Sequence, residues 1–351
     1  MADLLAGDAD ATGDGDQRPR GEDFFRDLSL SGGAKLVRRE LSHRWPESPE
    51  QLMAIVRYAL LPPGKLLRPI LVLASTELVG GSPDTVLPAA LGMEYMHTAT
   101  LIHDDVIDND GIRRSRPSVP AAFGVPAAIV AGDHLIFAAV EAITQCRGLL
   151  PADRIVTAVG VLASAGTDMC RGQLMEGQMT GDPGAGVAVY LEMIRLKTGA
   201  LFQAVCEIGA VLAGAGPDQV QKMARYGEHL GMAFQIRDDL LAYSVPAELA
   251  GKPATSDLAN GRPTLAVLLA FEASDQARRR RLTAALNRGS ARQVHLEAML
   301  RLLRDTGALA RSHELAIEQA ELATACLAEF AASPSRNILT EAARWAAQAA
   351  Q

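Results

Sequence analysis

Residues Leu91–Arg116 read LGMEYMHTATLIHDDVIDNDGIRRSR. The first half is apolar enough, at helical spacing, for a buried helix. It runs directly into Asp104, Asp105, Asp108 and Asp110, followed by Arg113 and Arg114. Residues four apart on a helix lie one above the other, so Asp104 and Asp108 share a face. Asp105 points about 100° away and supports them only from the side. Stacked like charges repel, and an apolar helix carries them inward only with a counter-charge. A divalent cation would supply it, because carboxylate oxygens are what Mg²⁺ prefers. The competing reading is a solvated helix end with scattered acids.

The rest of the chain favours helices throughout. Hydrophobic residues make up 48% of the 351, enough for a sizeable core, while aromatics are only 4% and Ala, Leu and Val dominate. A net charge of −7 and a pI near 5.6 speak against a nucleic-acid partner. Cys146, Cys170, Cys206 and Cys326 are widely spaced and form neither a CxxC pair nor a disulfide framework, which suggests a reducing cytoplasm. The N-terminus shows no basic-then-apolar signal pattern. Apolar runs such as Ala127 to Ala131 or Leu265 to Phe271 are too short to span a bilayer, so no transmembrane segment is expected.

Residues 1–21 are rich in Asp and Gly and are expected to form a disordered acidic tail; residues 22–351 are expected to form a single all-helical domain. Pro62-Pro63-Gly64 punctuates the chain before a helix expected from Lys65 to about Val79, stopped by Gly80-Gly81. The central helix should begin after Pro83, capped by Ser82 or Asp84. Further helices are expected over Pro126 to Cys146, Pro151 to Thr180, Val187 to Ala213 and Pro217 to Tyr243, with a loop from Pro246 to Pro263. Four or five helices should follow, separated at Ala273-Ser274, Gly289-Ser290, Gly307 and Ser333-Pro334. No alternating β-branched run suggests a strand.

A second acidic cluster, Asp238-Asp239, lies in GMAFQIRDDLLAY. Two acid-bearing helices in an all-α chain suit a metal site built from facing helices. Cations are also supplied: Lys65, Arg68, Arg113, Arg114, Lys197, Lys252 and Arg262. Acids for a metal and bases for an anion are what a diphosphate substrate requires.

PGKLLRP, HTATLIHDDVIDND-GIRRSRP, RLKTGALFQ, GMAFQIRDDLL and GKPATSDLANGRPTL occur in that order. In order and spacing the chain resembles the trans-isoprenyl diphosphate synthases, also called polyprenyl synthetases, over about residues 24 to 330. The resemblance implies an isoprenoid synthase fold with helices around a central apolar cavity, a homodimer, and about three Mg²⁺ per active site. Asp104 and Asp108 would bind metal with Asp105 in support, and Asp238 a further ion helped by Asp239. Lys65, Arg68, His97 and Arg114 would hold isopentenyl diphosphate. Arg113, Lys197 and Lys252 would hold an allylic diphosphate with Arg262 as a further cation, and Thr198 and Gln235 would lie beside the reacting carbons. The product would be a polyprenyl diphosphate of C20 or longer, because Ala99 and Thr100, below Asp104, are small where short-chain members place large aromatics; Tyr95 and Met96 lie a turn deeper.

The chain departs from the family at Ala242, where a third Asp is usual, at Leu66, where an Arg is common, and at Arg262, where a Lys is usual. Two rivals remain: a terpene cyclase, disfavoured by Lys65, Arg68 and Arg114, and a non-catalytic partner subunit, disfavoured by the intact Asp104-Asp105-Asp108 set. His103, His134 and His229 read as ordinary structural histidines, and Arg278 to Arg281 as a solvated face.

Overall fold

A computed structural model describes residues 21–244, 261–287 and 293–348. The expected tail over residues 1–20 and most of the expected 246–263 loop, with Lys252, lie outside these residues. The chain is all-α, as its composition implies. Helices α1 (Gly21–Leu30), α2 (Gly32–Arg44), α3 (Gln51–Leu60), α4 (Leu67–Leu78) and α5 (Pro83–Ile107) lead to a two-stranded ribbon, β1 (Ile112–Arg113) and β2 (Arg116–Pro117). Then follow α6 (Val119–Phe123), α7 (Val125–Thr144), α8 (Ala152–Met179), α9 (Val187–Ile194), a π-helical turn (Arg195–Gly199), α10 (Ala200–Ala213) and α11 (Pro217–Ser244). The last five are α12 (Leu265–Glu272), α13 (Gln276–Asn287), α14 (Gln293–Asp305), α15 (Ala308–Cys326) and α16 (Pro334–Ala346). The breaks near Ala273-Ser274, Gly307 and Ser333-Pro334 fall where expected, and the one expected at Gly289-Ser290 lies outside the described residues.

The contacts divide the described chain into two compact units. One holds residues 21–163, 204–224 and 327–345; the other holds the rest. The borders at 163, 203 and 224 fall inside α8, α10 and α11 rather than in loops.

In the first unit α4 and α5 are buried along most of their length, through Ile70, Leu71, Val72, Leu91 and Met93. Small residues let backbones meet. A Cβ on Gly92 would stand 2.9 Å from the Ala139 carbonyl oxygen of α7, and one on Gly209 of α10 would stand 2.6 Å from the Val72 carbonyl oxygen. The Thr76 hydroxyl donates to the Gly209 carbonyl at 3.0 Å, closing that contact. Helix α4 stops where expected: Gly80 takes a positive φ of 87° and the Gly81 N–H donates to the Thr76 carbonyl at 2.9 Å. It starts two residues later than expected, because Leu66 turns left-handed with φ 57° before it.

The second unit is built on two apolar clusters. Tyr190, Met193, Ile236, Leu240 and Leu268 form one, and Val267, Ala270, Leu282 and Leu303 are central to the other. Two described helical stretches, Val125–Thr144 and Val187–Ala213, are long and apolar enough to cross a membrane by length and composition; 72% of the second is buried inside the protein.

The tightest backbone approach in the second unit is Gly227 of α11, where a Cβ would stand 2.3 Å from the Phe202 carbonyl oxygen. Backbone cannot yield as a side-chain tip can. Gly227→Ala is therefore expected to cost about 1–3 kcal/mol in chemical denaturation, whereas Gly177→Ala, with open space around it, should cost nothing measurable.

Candidate active site

The first candidate cluster lies at the C-terminal end of α5. Asp108 caps the helix, its N–H donating to the Asp104 carbonyl at 2.8 Å. The acids therefore sit at the negative end of the helix dipole, where carboxylates are disfavoured. Asp105 is 2% exposed and accepts two bonds from Arg113 on one oxygen, from Nε at 2.9 Å and Nη2 at 2.5 Å. The same guanidinium stands 3.6 Å from Asp110. Asp104 and Asp108 are partly exposed. The division expected from helical spacing holds: Asp105 is turned aside.

The ribbon after α5 was not expected. Its two-residue turn, Arg114-Ser115, has positive φ at both positions, 52° and 59°. That is the geometry hairpins favour, but usually with Asn or Gly. Among the described residues, four non-glycines have positive φ: Leu66, Asn109, Arg114 and Ser115. All four lie in PGKLLRP or in the motif that closes α5. Such backbone costs about 1–3 kcal/mol per residue and concentrates where side chains must be aimed.

Arg114 reaches back to the start of α4. A Cβ on Gly64 would stand 2.8 Å from its Nη2. The Lys65 ammonium lies over the Phe25 ring at 4.2 Å and the Trp345 ring at 5.5 Å. Arg68 is driven down to about 10 by burial, against the pull of Glu94. Burial pushes the Glu94 carboxyl up, opposed by Arg68 and then Arg114. His97 is held well below 6.5, first by desolvation and then by Arg68, Arg114 and Arg113. Lys65, Arg68, His97 and Arg114 thus surround one helix start and one face of α5. A void of about 20 Å³, lined by Thr98, Asp105, Arg113 and Arg114 among others, has room for one water.

Of the residues read as setting chain length, Ala99, Tyr95 and Met96 are buried. Tyr95 meets the Trp45 ring edge-on at 5.5 Å. The Thr100 hydroxyl donates to the His97 carbonyl at 2.8 Å. The three histidines read as structural are so placed: His103 at 3.5 Å from Asp133, His134 against Trp45 at 6.0 Å, and His229 against Gln319 at 2.8 Å.

In the second unit, a cleft of about 190 Å³ is lined by Lys197, Thr198, Gln235, Asp238, Asp239 and Arg262 together with Glu176 and Tyr190. Every described residue assigned from the later motifs meets there. Lys197 and Thr198 sit in the π-helical turn, an irregularity often found at functional sites. Gly172 of α8 admits that turn, since a Cβ there would stand 2.4 Å from the Lys197 nitrogen. One oxygen of Glu176 receives the Lys197 ammonium at 2.6 Å and Gln173 at 3.2 Å, and lies 3.5 Å from Arg262 Nε. The Thr198 hydroxyl donates to Gln235 Oε1 at 2.7 Å, and Gln235 Nε2 donates to Asp239 Oδ1 at 2.8 Å. The Tyr190 hydroxyl donates to Asp239 Oδ2 at 2.6 Å. Asp238 is exposed and Ala242 partly buried.

Glu94, Glu176 and Tyr190 were not singled out from the sequence. A lone glutamate inside an apolar helical run is the available signal for Glu94; Tyr190 carries none. Among the described residues, no three His, Cys, Asp or Glu side chains gather as a ready metal site. Asp104, Asp108 and Asp238 are carboxylates of the kind Mg²⁺ takes one or two at a time, with waters and substrate phosphate oxygens.

Below the ordinary 6.5 the unfolded chain protonates His97 while the folded protein does not. Its contribution to stability is thus complete above 6.5 and declines as pH falls toward the folded-state pKa. Between about pH 7 and pH 5, His97→Gln is expected to lose less stability than the parent in urea titrations; equal losses would contradict a neutral imidazole.

Residues 49–303 match the family described as polyprenyl synthetase. Geranylgeranyl pyrophosphate synthase of Geoglobus acetivorans is 37% identical over 311 residues, covering 88% of this chain and 95% of that protein. The crystal structure of geranylgeranyl pyrophosphate synthetase from Pyrococcus horikoshii Ot3 superposes with a TM-score of 0.84 at 30% identity, covering 93% of this chain and 98% of that one. A polyprenyl synthase from Caulobacter crescentus CB15, solved with calcium and isoprenyl diphosphate, gives a TM-score of 0.83 at 31% identity, covering 93% and 97%. These likenesses identify the architecture as the isoprenoid synthase fold. With the motifs in place on that fold, the chain belongs to the polyprenyl synthetase family.

Proposed function

We propose that this transferase condenses isopentenyl diphosphate with an allylic diphosphate to give an all-trans polyprenyl diphosphate of C20 or longer. The observation that carries the reading is the cleft where Lys197 and Arg262 share the Glu176 carboxylate beside the Thr198–Gln235 hydrogen bond. Lys197 and Arg262, gathered on one acid, offer cationic donors to a diphosphate, and a neutral polar pair stands next to them for the reacting carbons. The cations at the start of α4 and on the ribbon suit a second diphosphate, which a cyclase does not need.

Asp104 and Asp108 are the carboxylates that α5 offers to magnesium, and Asp238 is the one α11 offers. Bound magnesium supplies charge neutralisation on a diphosphate oxygen. Lys197, Arg262 and Lys252 stabilise the departing pyrophosphate, so the allylic C–O bond can ionise. Arg113, locked to Asp105, adds positive charge beside the first acids. Lys65, Arg68, Arg114 and neutral His97 hold isopentenyl diphosphate while its double bond attacks the cation. A proton is then lost to the released pyrophosphate. Water must be kept from the cation, which it would otherwise capture.

We also infer a homodimer in the cytoplasm. Helix α7 exposes Ile129, Val130 and Phe137, the last 73% exposed, as an apolar stripe suited to a second copy. No two of the four cysteines are bonded, in keeping with a reducing compartment.

Purified protein with Mg²⁺, labelled isopentenyl diphosphate and a farnesyl starter should form products of C20 or longer; failure to elongate any allylic starter would sink the reading. Ala99→Phe, checked for folding, should shorten the product, and an unchanged spectrum would place the floor elsewhere. Gly64→Ala should leave the thermal midpoint nearly unchanged, because only the tip of Arg114 must move, yet raise KM for isopentenyl diphosphate about tenfold with the allylic KM unaltered. Phe137→Glu should convert the dimer to monomer in light scattering.

A further inference from the structure

We infer that Tyr190 and Asp239 are positioning residues, which act through Gln235 to aim the Thr198 hydroxyl, and that Asp239 is not a magnesium ligand. The inference rests on the prenyltransferase reading and deepens it. Four side chains form one directed chain of hydrogen bonds, and its direction is forced at one end. An ionised carboxylate can only accept, so Gln235 must turn its NH₂ toward Asp239 Oδ1, 2.8 Å away. Its carbonyl oxygen then faces Thr198, whose hydroxyl must donate, at 2.7 Å. With its proton committed, Thr198 has only lone pairs to present to the cleft it lines. Lone pairs are what an adjacent allylic cation requires; an O–H aimed the other way would repel it.

Tyr190 fixes the other end. It is 1% exposed, and its hydroxyl donates to Asp239 Oδ2 at 2.6 Å. Asp239 is itself 9% exposed, and each of its oxygens already accepts a short bond. A magnesium ion there would have to displace those donors or share an oxygen with them. Asp238, the neighbour, is exposed on the same helix. The two adjacent acids of this motif therefore divide the work: Asp238 faces outward toward a metal, and Asp239 faces inward and orders the cleft.

The test uses the full chain, with the wild type elongating a farnesyl starter as the control for the prenyltransferase reading. Tyr190→Phe should lower kcat by about tenfold to a hundredfold and raise the share of allylic alcohol, formed when water adds to the cation and loses a proton. The Mg²⁺ concentration for half-maximal rate should stay within about twofold of the parent. Calorimetry supplies an activity-free readout: pyrophosphate-dependent Mg²⁺ uptake should survive Asp239→Asn and weaken in Asp238→Asn. Loss of that uptake in Asp239→Asn would make it a ligand and overturn the inference. So would a Tyr190→Phe enzyme with unchanged kcat and no added alcohol. A wild type that elongates nothing would instead remove the functional reading while leaving the calorimetric comparison standing.

Discussion

A helix that ends in carboxylates works against its own dipole. Asp104, Asp105 and Asp108 occupy the last turn and cap of α5, where backbone carbonyls already concentrate negative charge. Arg113 locks Asp105 from the ribbon that follows. The same segment places Arg114 at a strained turn beside Gly64. The acids, the ribbon and the start of α4 are parts of one electrostatic arrangement.

The second acidic motif repeats the same division by other means. Asp105 is held by a guanidinium and Asp239 by a phenol and an amide, so in each pair one acid is buried and engaged. The partner in each pair, Asp104 or Asp238, is the more open one. Glu176 applies the complementary rule to cations by gathering Lys197 and Arg262 on a single oxygen. A carboxylate between two bases sets their spacing and tempers their charge, which suits the pyrophosphate release proposed for this cleft.

Much of this could be read from the sequence. Charges inside apolar helical runs are rare enough that Asp104, Asp108, Asp238 and Lys197 announced themselves, and Gly, Ser and Pro marked the helix ends. The ribbon could not be read, because Arg114-Ser115 carries none of the Asn or Gly that normally signals such a turn. The π-helical turn at Arg195–Gly199 escaped for another reason: one extra residue per turn leaves the apolar pattern nearly intact. Tyr190 carries no signal in a single sequence and only its Asp239 partner reveals it, whereas Glu94 is itself a charge inside an apolar helical run. The division into two units was also hidden, since its borders run through helices.

The account's central claim is that Asp104, Asp108 and Asp238 hold magnesium only together with a diphosphate, the described residues offering no complete metal site of their own. Calorimetric titration of Mg²⁺ into the wild-type protein, with and without inorganic pyrophosphate, tests this directly. Weak uptake alone, becoming tight and saturable once pyrophosphate is present, is the predicted result. Tight stoichiometric uptake without any diphosphate would contradict it.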